Sequence, residues 1–311
     1  MVSADPSAQM NWLQQLINGF GLGSIYALIA LGYTMVYGVL RFINFAHSDV
    51  LMLGAFAAFF LAPKVEGFVP RQSYAGALLI LVLAAAVCAV IGILIERLAY
   101  RPLRNRPKLT VLITAIGVSL FIEFSCQHRA IFGAQTRPFP KLLPEHTFHV
   151  GELTIASYDI MVPLVTMVLL VILWFVVQRT RIGTAMRAVA YNHQAACLMG
   201  VNIDRVISFT FGLGSALAAV AGILYALKAP GIEPLMGIQP GLRAFVAAVL
   251  GGIGNLPGAV LGGLVLGLLE TFAGGIPGIS NYRDGIAFAI LILILLFRPA
   301  GLLGRAQVEK V

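Results

Sequence analysis

The sequence contains very little charge. Only 11% of its 311 residues are Asp, Glu, Lys or Arg, whereas 59% are hydrophobic, and an ordinary soluble domain has about 25% charged residues. Burying so much apolar surface in one water-soluble core would leave too few polar residues to cover the outside. The scarcity of charge therefore excludes an ordinary soluble domain and indicates that much of the chain faces lipid.

Cysteines and catalytic motifs are also scarce. Cys88, Cys126 and Cys197 have neither paired nor metal-like spacing, so no disulfide framework is indicated. The chain lacks a phosphate-binding G-x-x-x-x-G-K-[ST] loop, an H-E-x-x-H zinc pair and a G-x-S-x-G elbow. The glycine-rich residues 251–254 lie between apolar segments, outside the strand–turn–helix context of a nucleotide site. We expect no enzyme activity, no ATPase site, no metal and no cofactor in this chain.

Long uncharged stretches are what the sequence has instead. A helix needs roughly 20 mostly apolar residues to cross a hydrocarbon core of about 30 Å. Five stretches reach or approach that length, between Asp5 and Arg41, Arg71 and Glu96, Asp159 and Arg179, Arg205 and Lys228, and Arg243 and Glu270. Shorter ones follow Asp49, Lys108 and Asp284. Residues 78–95 are apolar on every face, unlike the alternating strands of a membrane barrel.

These stretches predict an all-α fold: a polytopic transmembrane helical bundle of about eight spans, with one or two broken or re-entrant helices. Residues 1–311 would form a single transmembrane domain. The first stretch lacks a basic region before it and is followed by further spans, so it is not a cleavable signal peptide.

The basic residues predict the orientation. Twelve of the 21 Lys and Arg residues fall within 97–108, 179–205 and 298–310, and cytoplasmic loops carry such an excess. The pattern argues for topology signals and against a nucleic-acid surface. Alternation then places the N-terminus outside and the C-terminus inside. This requires two short passes joined at 251–257, and such interrupted segments are typical of broken helices.

A polar cluster separates the first two apolar segments. Asn44, His47 and Asp49 could line a path or gate, because polar groups at membrane depth are functional candidates. A wet loop or a packing role explains them equally well. Other acids near span ends are Glu123, Glu270 and Asp284, for which Arg129, Arg243 and Arg283 are possible ion-pair partners.

Glycines recur at four-residue spacing near the C-terminus. Gly254, Gly258 and Gly262 would share one helix face, where small residues let helix backbones approach closely in lipid. Residues 21–24 and 212–215 share the sequence GLGS. Because repeats are common in transport folds, this echo raises the hypothesis of an internal repeat.

The basic loop 179–205 contains a predicted short amphipathic helix. Thr184 is a plausible N-cap and Gly200 a plausible stop. Between them an apolar face is formed at helical spacing by Met186, Val189, His193, Ala196 and Met199 or Gly200. Such a helix docks into a groove on a soluble partner, or lies on the membrane or on its own helices.

Four stretches of the sequence carry a family resemblance. They are residues 32–38 (GYTMVYG), 43–47 (INFAH), 95–102 (IERLAYRP) and 247–254 (AAVLGGIG), together with the tail at 304–305 and 308–311. In these, the chain resembles the LivH-type permeases of bacterial branched-chain amino acid ABC importers. Ser48 departs from the family, which usually has glycine at this position.

The resemblance implies partners and a mechanism. Such permeases pair with a second homologous permease, two cytoplasmic ATPase subunits that use ATP and Mg²⁺, and a periplasmic amino-acid-binding protein, in the bacterial inner membrane. The region of Arg187, Ala188, Asn192 and Gly200 is similar to the loop that contacts the ATPase, which makes 179–205 a coupling loop. Alternating access is the implied mechanism. Related permeases for urea, amides or other amino acids, and a secondary transporter, are the alternatives.

Overall fold

The computed structural model describes residues 12–70, 72–104, 106–144, 146–150, 153–276, 278, 280–298 and 300–304. The predicted basic tail and family-like ending at 305–311 lie outside the described residues, as do residues 1–11. The helices are α1 (Trp12–Leu40), α2 (His47–Val65), α3 (Tyr74–Ile95), α4 (Lys108–Gln127), α5 (Ser157–Arg179), α6 (Arg181–Tyr191), α7 (His193–Leu198), α8 (Ile203–Lys228), α9 (Ile238–Gly251), α10 (Leu256–Gly275) and α11 (Arg283–Phe297).

The predicted all-α membrane bundle is confirmed. Within the described residues, seven helices are long and apolar enough to cross a membrane: α1, α2, α3 with its extension to Leu103, α4, α5, α8 and α10. Two shorter apolar helices, α9 and the Phe288–Phe297 part of α11, accompany them. The extension of α3 consists of a π-helical turn, Glu96–Tyr100, and a 3₁₀ turn, Arg101–Leu103.

The short strands lie between helices, away from the spans. They are β1 (Arg137–Pro138), β2 (Thr147–Val150), β3 (Leu153–Ala156) and β4 (Gly231–Ile232). β2 and β3 form an antiparallel hairpin before α5, and β1 pairs antiparallel with β4, which follows α8.

Alternation of the helices gives the bundle two ends. The basic end carries the α3–α4 connection, the loop helices α6 and α7, and the α9–α10 turn at 252–255. The opposite end carries the start of α1 and all four strands. At the basic end, the Leu302 amide donates to the Leu250 carbonyl at 2.8 Å and the Asn255 side chain donates to the Leu303 carbonyl at 2.7 Å. The last described residues therefore return to the basic end, as the prediction of two passes requires.

The prediction that both of these passes are short is wrong for α10. This helix has 20 residues and continues past Glu270, which the sequence analysis used as its boundary. The helix continues because Glu270 is buried and paired with an arginine of α9. A paired charge does not need to leave the membrane interior.

Two helices form the centre of the bundle. In the most apolar window of α1 and of α8, 83% of the residues are buried, against 22% for α3, α4 and α5. The latter three therefore present broad apolar faces to lipid. Lipid gives no hydrophobic drive for helix association, so the central contacts depend on small residues. Gly54 of α2 packs on Ala219 of α8, and Gly222 of α8 packs on Leu51 of α2.

The glycine prediction holds for two of its three positions. Gly258 contacts the Gly251 carbonyl and Gly262 contacts the Ala247 carbonyl, both across the α9–α10 interface. Gly254 is not a helix-packing residue: it lies in the turn before α10, has no neighbouring atom where a Cβ would be, and has φ +95°. This left-handed conformation is the physical reason for glycine there.

The helix spacing agrees with the hypothesis of an internal repeat whose two halves run in opposite directions. Gly21 follows the start of α1 by nine residues, and Gly212 follows the start of α8 by nine. Each of these helices is followed by one that begins 26 residues after the motif, at His47 and Ile238. α1, in the first half of the chain, packs on α10 in the second half. α8, in the second half, packs on α3 in the first. Because α1 runs toward the basic end and α8 runs away from it, the halves have opposite orientations.

Candidate functional site

The start of α2 is recessed inside the bundle. His47 packs against Gly32 of α1, and Gly32 precedes the end of α1 by eight residues, or about 12 Å of helix. The chain therefore leaves α1 at the basic end and folds back before α2 begins. Asn44, Ala46 and His47 are all buried. Non-helical backbone at this depth is tolerated only inside protein or along a cavity, and here it is enclosed by protein.

The start of α9 packs against the start of α2. With 14 residues, α9 spans about 21 Å, which is too short for a hydrocarbon core of about 30 Å. Gly237 contacts the carbonyl of Ser48, and Gly241 contacts its side chain. Two helix N-termini, each with a partial positive charge, thus lie side by side in the bundle. We call this contact of residues 44–49 with 237–241 the inner junction.

Asn44 and Asp49 of the inner junction are bonded to two different helices. The Tyr100 hydroxyl donates to Asn44 Oδ1 at 2.6 Å, which links the junction to the extension of α3. The Ser119 hydroxyl donates to Asp49 Oδ2 at 2.6 Å, and the carboxyl group of Glu123 also contacts Asp49, so both α4 residues face α2. Asn44 and Asp49 are 6% and 1% exposed, so in this conformation neither opens into a cavity.

His47 is the exception in the inner junction. Its ring lies 4.6 Å from the ring of Tyr33 and bonds to the backbone of Ile29. Its Nε2 atom has no hydrogen-bond partner among the described residues, although the side chain is fully enclosed. Burying an unbonded polar atom is costly. An unbonded polar atom at membrane depth makes His47 a candidate functional residue.

An ion pair joins α1, α9 and α10 next to the junction. Arg243 Nη1 lies 2.7 Å from Glu270 Oε1 and donates to the Tyr26 hydroxyl at 3.0 Å. The same hydroxyl donates to Glu270 Oε2 at 2.8 Å. The predicted Glu270–Arg243 pair is therefore confirmed. For Glu123, the structure places Asp49 rather than an arginine beside the carboxyl group. The side chains of Arg283 and Asp284 lie outside the described residues.

A further network at the basic end was missed by the sequence analysis. Glu96, whose side chain is fully buried, accepts from the Ser208 hydroxyl and pairs with Arg104. Arg104 also pairs with Asp204 at 2.7 Å. The network fastens the extension of α3 to α8. Only one signal pointed to it: a glutamate directly after an apolar stretch, eight residues before an arginine.

The coupling loop contains two short helices instead of one. Thr180, not Thr184, caps α6 by accepting from the Gly183 amide at 3.1 Å, because α6 starts four residues earlier than predicted. Asn192 then ends α6 and caps α7, accepting from the Ala195 amide at 3.0 Å. Gly200 has φ +81°, so it stops α7 in the left-handed conformation that favours glycine.

The apolar face of the loop turns toward its own bundle. Met186, Val189 and Ala196 are buried, at 4%, 0% and 4% exposure. Arg187 donates to the Val177 carbonyl at the end of α5, and Ala188 is half-buried. The predicted coupling residues Arg187, Ala188 and Asn192 thus shape and fasten the loop. The part of the loop that faces away from the bundle carries exposed apolar side chains instead.

Three large apolar side chains project from the loop. Tyr191, Leu198 and Met199 are 88%, 88% and 83% exposed. We call them the apolar tip. Met199 or Gly200 was predicted to lie on the single apolar face, and Tyr191 and Leu198 were not singled out, because one continuous helix was expected. A break at Asn192 changes the direction of every later side chain.

A cavity of about 610 Å³ adjoins the loop at the basic end. It is lined by Tyr37, Gly38 and Arg41 at the end of α1, by Ala190 of α6, and by the 253–255 turn, among others. Arg41 donates to the Ala190 carbonyl at 3.2 Å across one side of it. The loop is therefore connected directly to α1, the helix on which His47 rests.

A bundle with two helices that start in its interior, and with a projecting apolar tip on a loop at its basic end, has the architecture of a membrane transport subunit. The comparisons with known proteins name the family. The chain belongs to the permease components of branched-chain amino acid transport systems, whose family model, "Branched-chain amino acid transport system / permease component", matches residues 15–295.

Its relatives are similar over nearly the whole length. The high-affinity branched-chain amino acid transport system permease protein BraD of Pseudomonas aeruginosa is 43% identical, covering 97% of this chain and 98% of that protein. LivH of Escherichia coli K12 is 41% identical over 96% and 98%. The probable LivH of Methanocaldococcus jannaschii is 27% identical over 90% and 89%. No solved structure matches the chain significantly.

Proposed function

We propose that this chain is a permease subunit that carries the branched-chain amino acids Leu, Ile and Val into the cytoplasm of a bacterium, driven by ATP hydrolysis in partner subunits. The supporting observation is the near full-length similarity to BraD and LivH, at 43% and 41% identity. The chain would work with a second homologous permease, two ATPase subunits that bind ATP and Mg²⁺, and a periplasmic amino-acid-binding protein.

The proposed location is the inner membrane, with the basic end in the cytoplasm. The positive-inside rule supports this orientation, because the α3–α4 connection and the 179–205 loop share that end. The start of α1 then lies on the periplasmic side, and the last described residues lie on the cytoplasmic side. The apolar tip faces the compartment that contains ATP.

The proposed coupling path runs from the apolar tip to the inner junction. An ATPase that binds Tyr191, Leu198 and Met199 would move α6, which Arg187 fastens to α5 and which Arg41 of the α1–α2 connection contacts. A shift of α1 moves Gly32, on which His47 rests at the start of α2. The inner junction would then separate, exposing Asn44, His47 and Asp49 in an alternating-access cycle.

The test is uptake by the reconstituted complex. The chain, its cognate second permease and both ATPases would be placed in proteoliposomes, with the cognate binding protein and labelled leucine outside. We expect uptake that requires ATP inside and falls when isoleucine or valine competes. No uptake of labelled leucine, with ATP-dependent uptake of labelled urea or a short amide in its place, would assign the chain to another substrate class. Uptake that persists without ATP but needs an ion gradient would indicate a secondary transporter.

A further inference from the structure

A second cavity at the basic end, of about 590 Å³, contains a cluster of three arginines in a lining that is otherwise mostly uncharged. Arg101, Arg104 and Arg106 line its bundle side together with Asp204, and His193 of α7 lines its loop side. The cavity therefore lies between the membrane helices and the coupling loop. It is separate from the cavity beside Arg41 and Ala190, and the proposed coupling path does not use it.

The arginines outnumber the acidic groups that face them. Asp204 is shared between Arg101 and Arg104. Glu96, which is buried beneath the cavity, forms a second ion pair with Arg104. Arg106 is exposed and makes no ion pair within the described part of the chain. The cavity thus retains a net positive charge after its internal pairs are formed.

Two further features accompany these arginines. The pKa of His193 is lowered, first by partial burial and then by the nearby charges of Arg104 and Arg41, so its cationic form is disfavoured beside them. The N-terminal end of α4 is the second feature. Its first-turn residue Val111 lines the cavity, and Pro107, which precedes the helix, provides no side-chain cap. An uncapped helix N-terminus offers free amide groups and a partial positive charge to an anion.

Exposed apolar side chains lie on the two elements that border the cavity. Leu98, Leu109 and Ile113 are 76%, 66% and 60% exposed on the extension of α3 and on α4. Leu40 and Phe42 form an apolar part of the lining. A molecule with a phosphate group in the cavity would therefore have its acyl chains beside hydrophobic helices. A free phosphate ion would leave this surface unused.

We propose that this cavity binds the phosphate group of an anionic phospholipid and thereby ties α7 to the extension of α3 and to α4. Basic pockets between transmembrane helices on the cytoplasmic side are suited to such headgroups. The binding follows from the cavity itself. Its expected consequence, weaker ATPase coupling without anionic lipid, rests on the proposed function.

The test counts lipids bound to the purified transporter complex. The complex in phosphatidylcholine micelles would be titrated with phosphatidylglycerol and analysed by native mass spectrometry. The variant carries Arg101→Gln and Arg106→Gln. The control carries Arg97→Gln and Arg181→Gln, which removes the same charge from exposed positions of the same end outside the cavity lining. Each basic residue near the surface strengthens binding about fivefold, so we expect about thirtyfold weaker binding in the variant.

Each outcome decides a different point. Equal phosphatidylglycerol binding by variant and control overturns the proposal. Displacement of the lipid by inorganic phosphate would show that the cavity prefers a soluble anion, and also overturns it. Loss of ATPase subunits from the variant with unchanged lipid binding would assign the arginines to the protein interface. If the variant loses phosphatidylglycerol but takes up leucine normally, the lipid site is supported and only its role in coupling is rejected.

Discussion

Glu270 and Arg243 determine how two helices of this bundle fit together. The pair lies between α9 and α10, and the Tyr26 hydroxyl contacts both partners. The side chains are 3% and 13% exposed. A buried charge is strongly destabilising when its partner is removed, whereas replacing both charges with apolar groups is often neutral.

We therefore expect Glu270→Ala to lower the free energy of unfolding by about 3–5 kcal/mol, because Arg243 is left buried without its carboxylate. Adding Arg243→Met should recover most of this loss. Tyr26→Phe removes only the hydroxyl and should cost about 1.5–3 kcal/mol, the usual value for a hydrogen bond to a charged group. Unfolding in mixed micelles, followed by circular dichroism, measures all three. Equal destabilisation by the single and the double variant would contradict this account.

Close helix contact gives a second prediction at the scale of residues. Gly262→Ala should destabilise the bundle by about 1–3 kcal/mol, because the new methyl group overlaps the Ala247 carbonyl of α9. Gly274 belongs to the same helix and has no atom within 4 Å of the corresponding position. Gly274→Ala should be neutral or stabilising, since alanine is the better helix former by about 1 kcal/mol. The same unfolding assay compares them, and the reverse order would contradict the packing role.

Among the elements, the coupling loop differs most from its prediction. Its caps, Thr180 and Asn192, divide it into α6 and α7, and the break turns the apolar tip away from the bundle. The region of Arg187 and Asn192 was predicted to contact the ATPase, and this stays a prediction. Both residues are exposed and both also bond within the chain, so we expect their replacement to deform the loop as well.

Leu198→Asp should weaken capture of the ATPase subunits at least tenfold while the chain inserts and folds normally. The reason is that Leu198 is 88% exposed and lacks a packing role in this chain, so a carboxylate there harms only a partner that buries it. Phe68→Asp is the matched control, because Phe68 is 90% exposed at the opposite end. Co-purification with tagged ATPase measures the effect. Equal capture by both variants would exclude the apolar tip from the interface.

At the scale of the whole molecule, the orientation is the proposal with the widest consequences. The chain carries its own probe, since Cys197 is exposed at the basic end and Cys88 and Cys126 are buried. We expect Cys197 to react with a membrane-impermeant maleimide in inside-out vesicles and to be protected in intact spheroplasts.

Two variants serve as controls for this labelling, each in a Cys197→Ser background. Arg97→Cys adds a second exposed probe at the basic end, away from the loop, and should behave like Cys197. Phe68→Cys probes the opposite end and should label only in spheroplasts. Labelling of Arg97→Cys from the outside would reverse the orientation and place the apolar tip in the wrong compartment for an ATPase.

The sequence by itself determined the order of the membrane helices and their approximate number. Lipid cannot bond to the backbone, so each span must be long and uncharged, and such lengths can be counted directly. The same reasoning predicted the two passes before the C-terminus and the pairing of Glu270 with Arg243, because an unpaired charge at that depth is too costly. The four-residue glycine spacing likewise predicted the α9–α10 contact at Gly258 and Gly262.

Only the tertiary structure decided which polar groups meet. Asp49 contacts Ser119 and Glu123, some 70 residues away, and no local pattern specifies which face of α4 turns toward α2. The inner junction was hidden for the same reason: a break at residues 41–46 is visible in the sequence, but its depth depends on where His47 packs on α1. The apolar tip was missed because one asparagine changed the helix direction. Contacts between helices depend on rotation and depth, and the apolar lengths that specify spans leave both of these open.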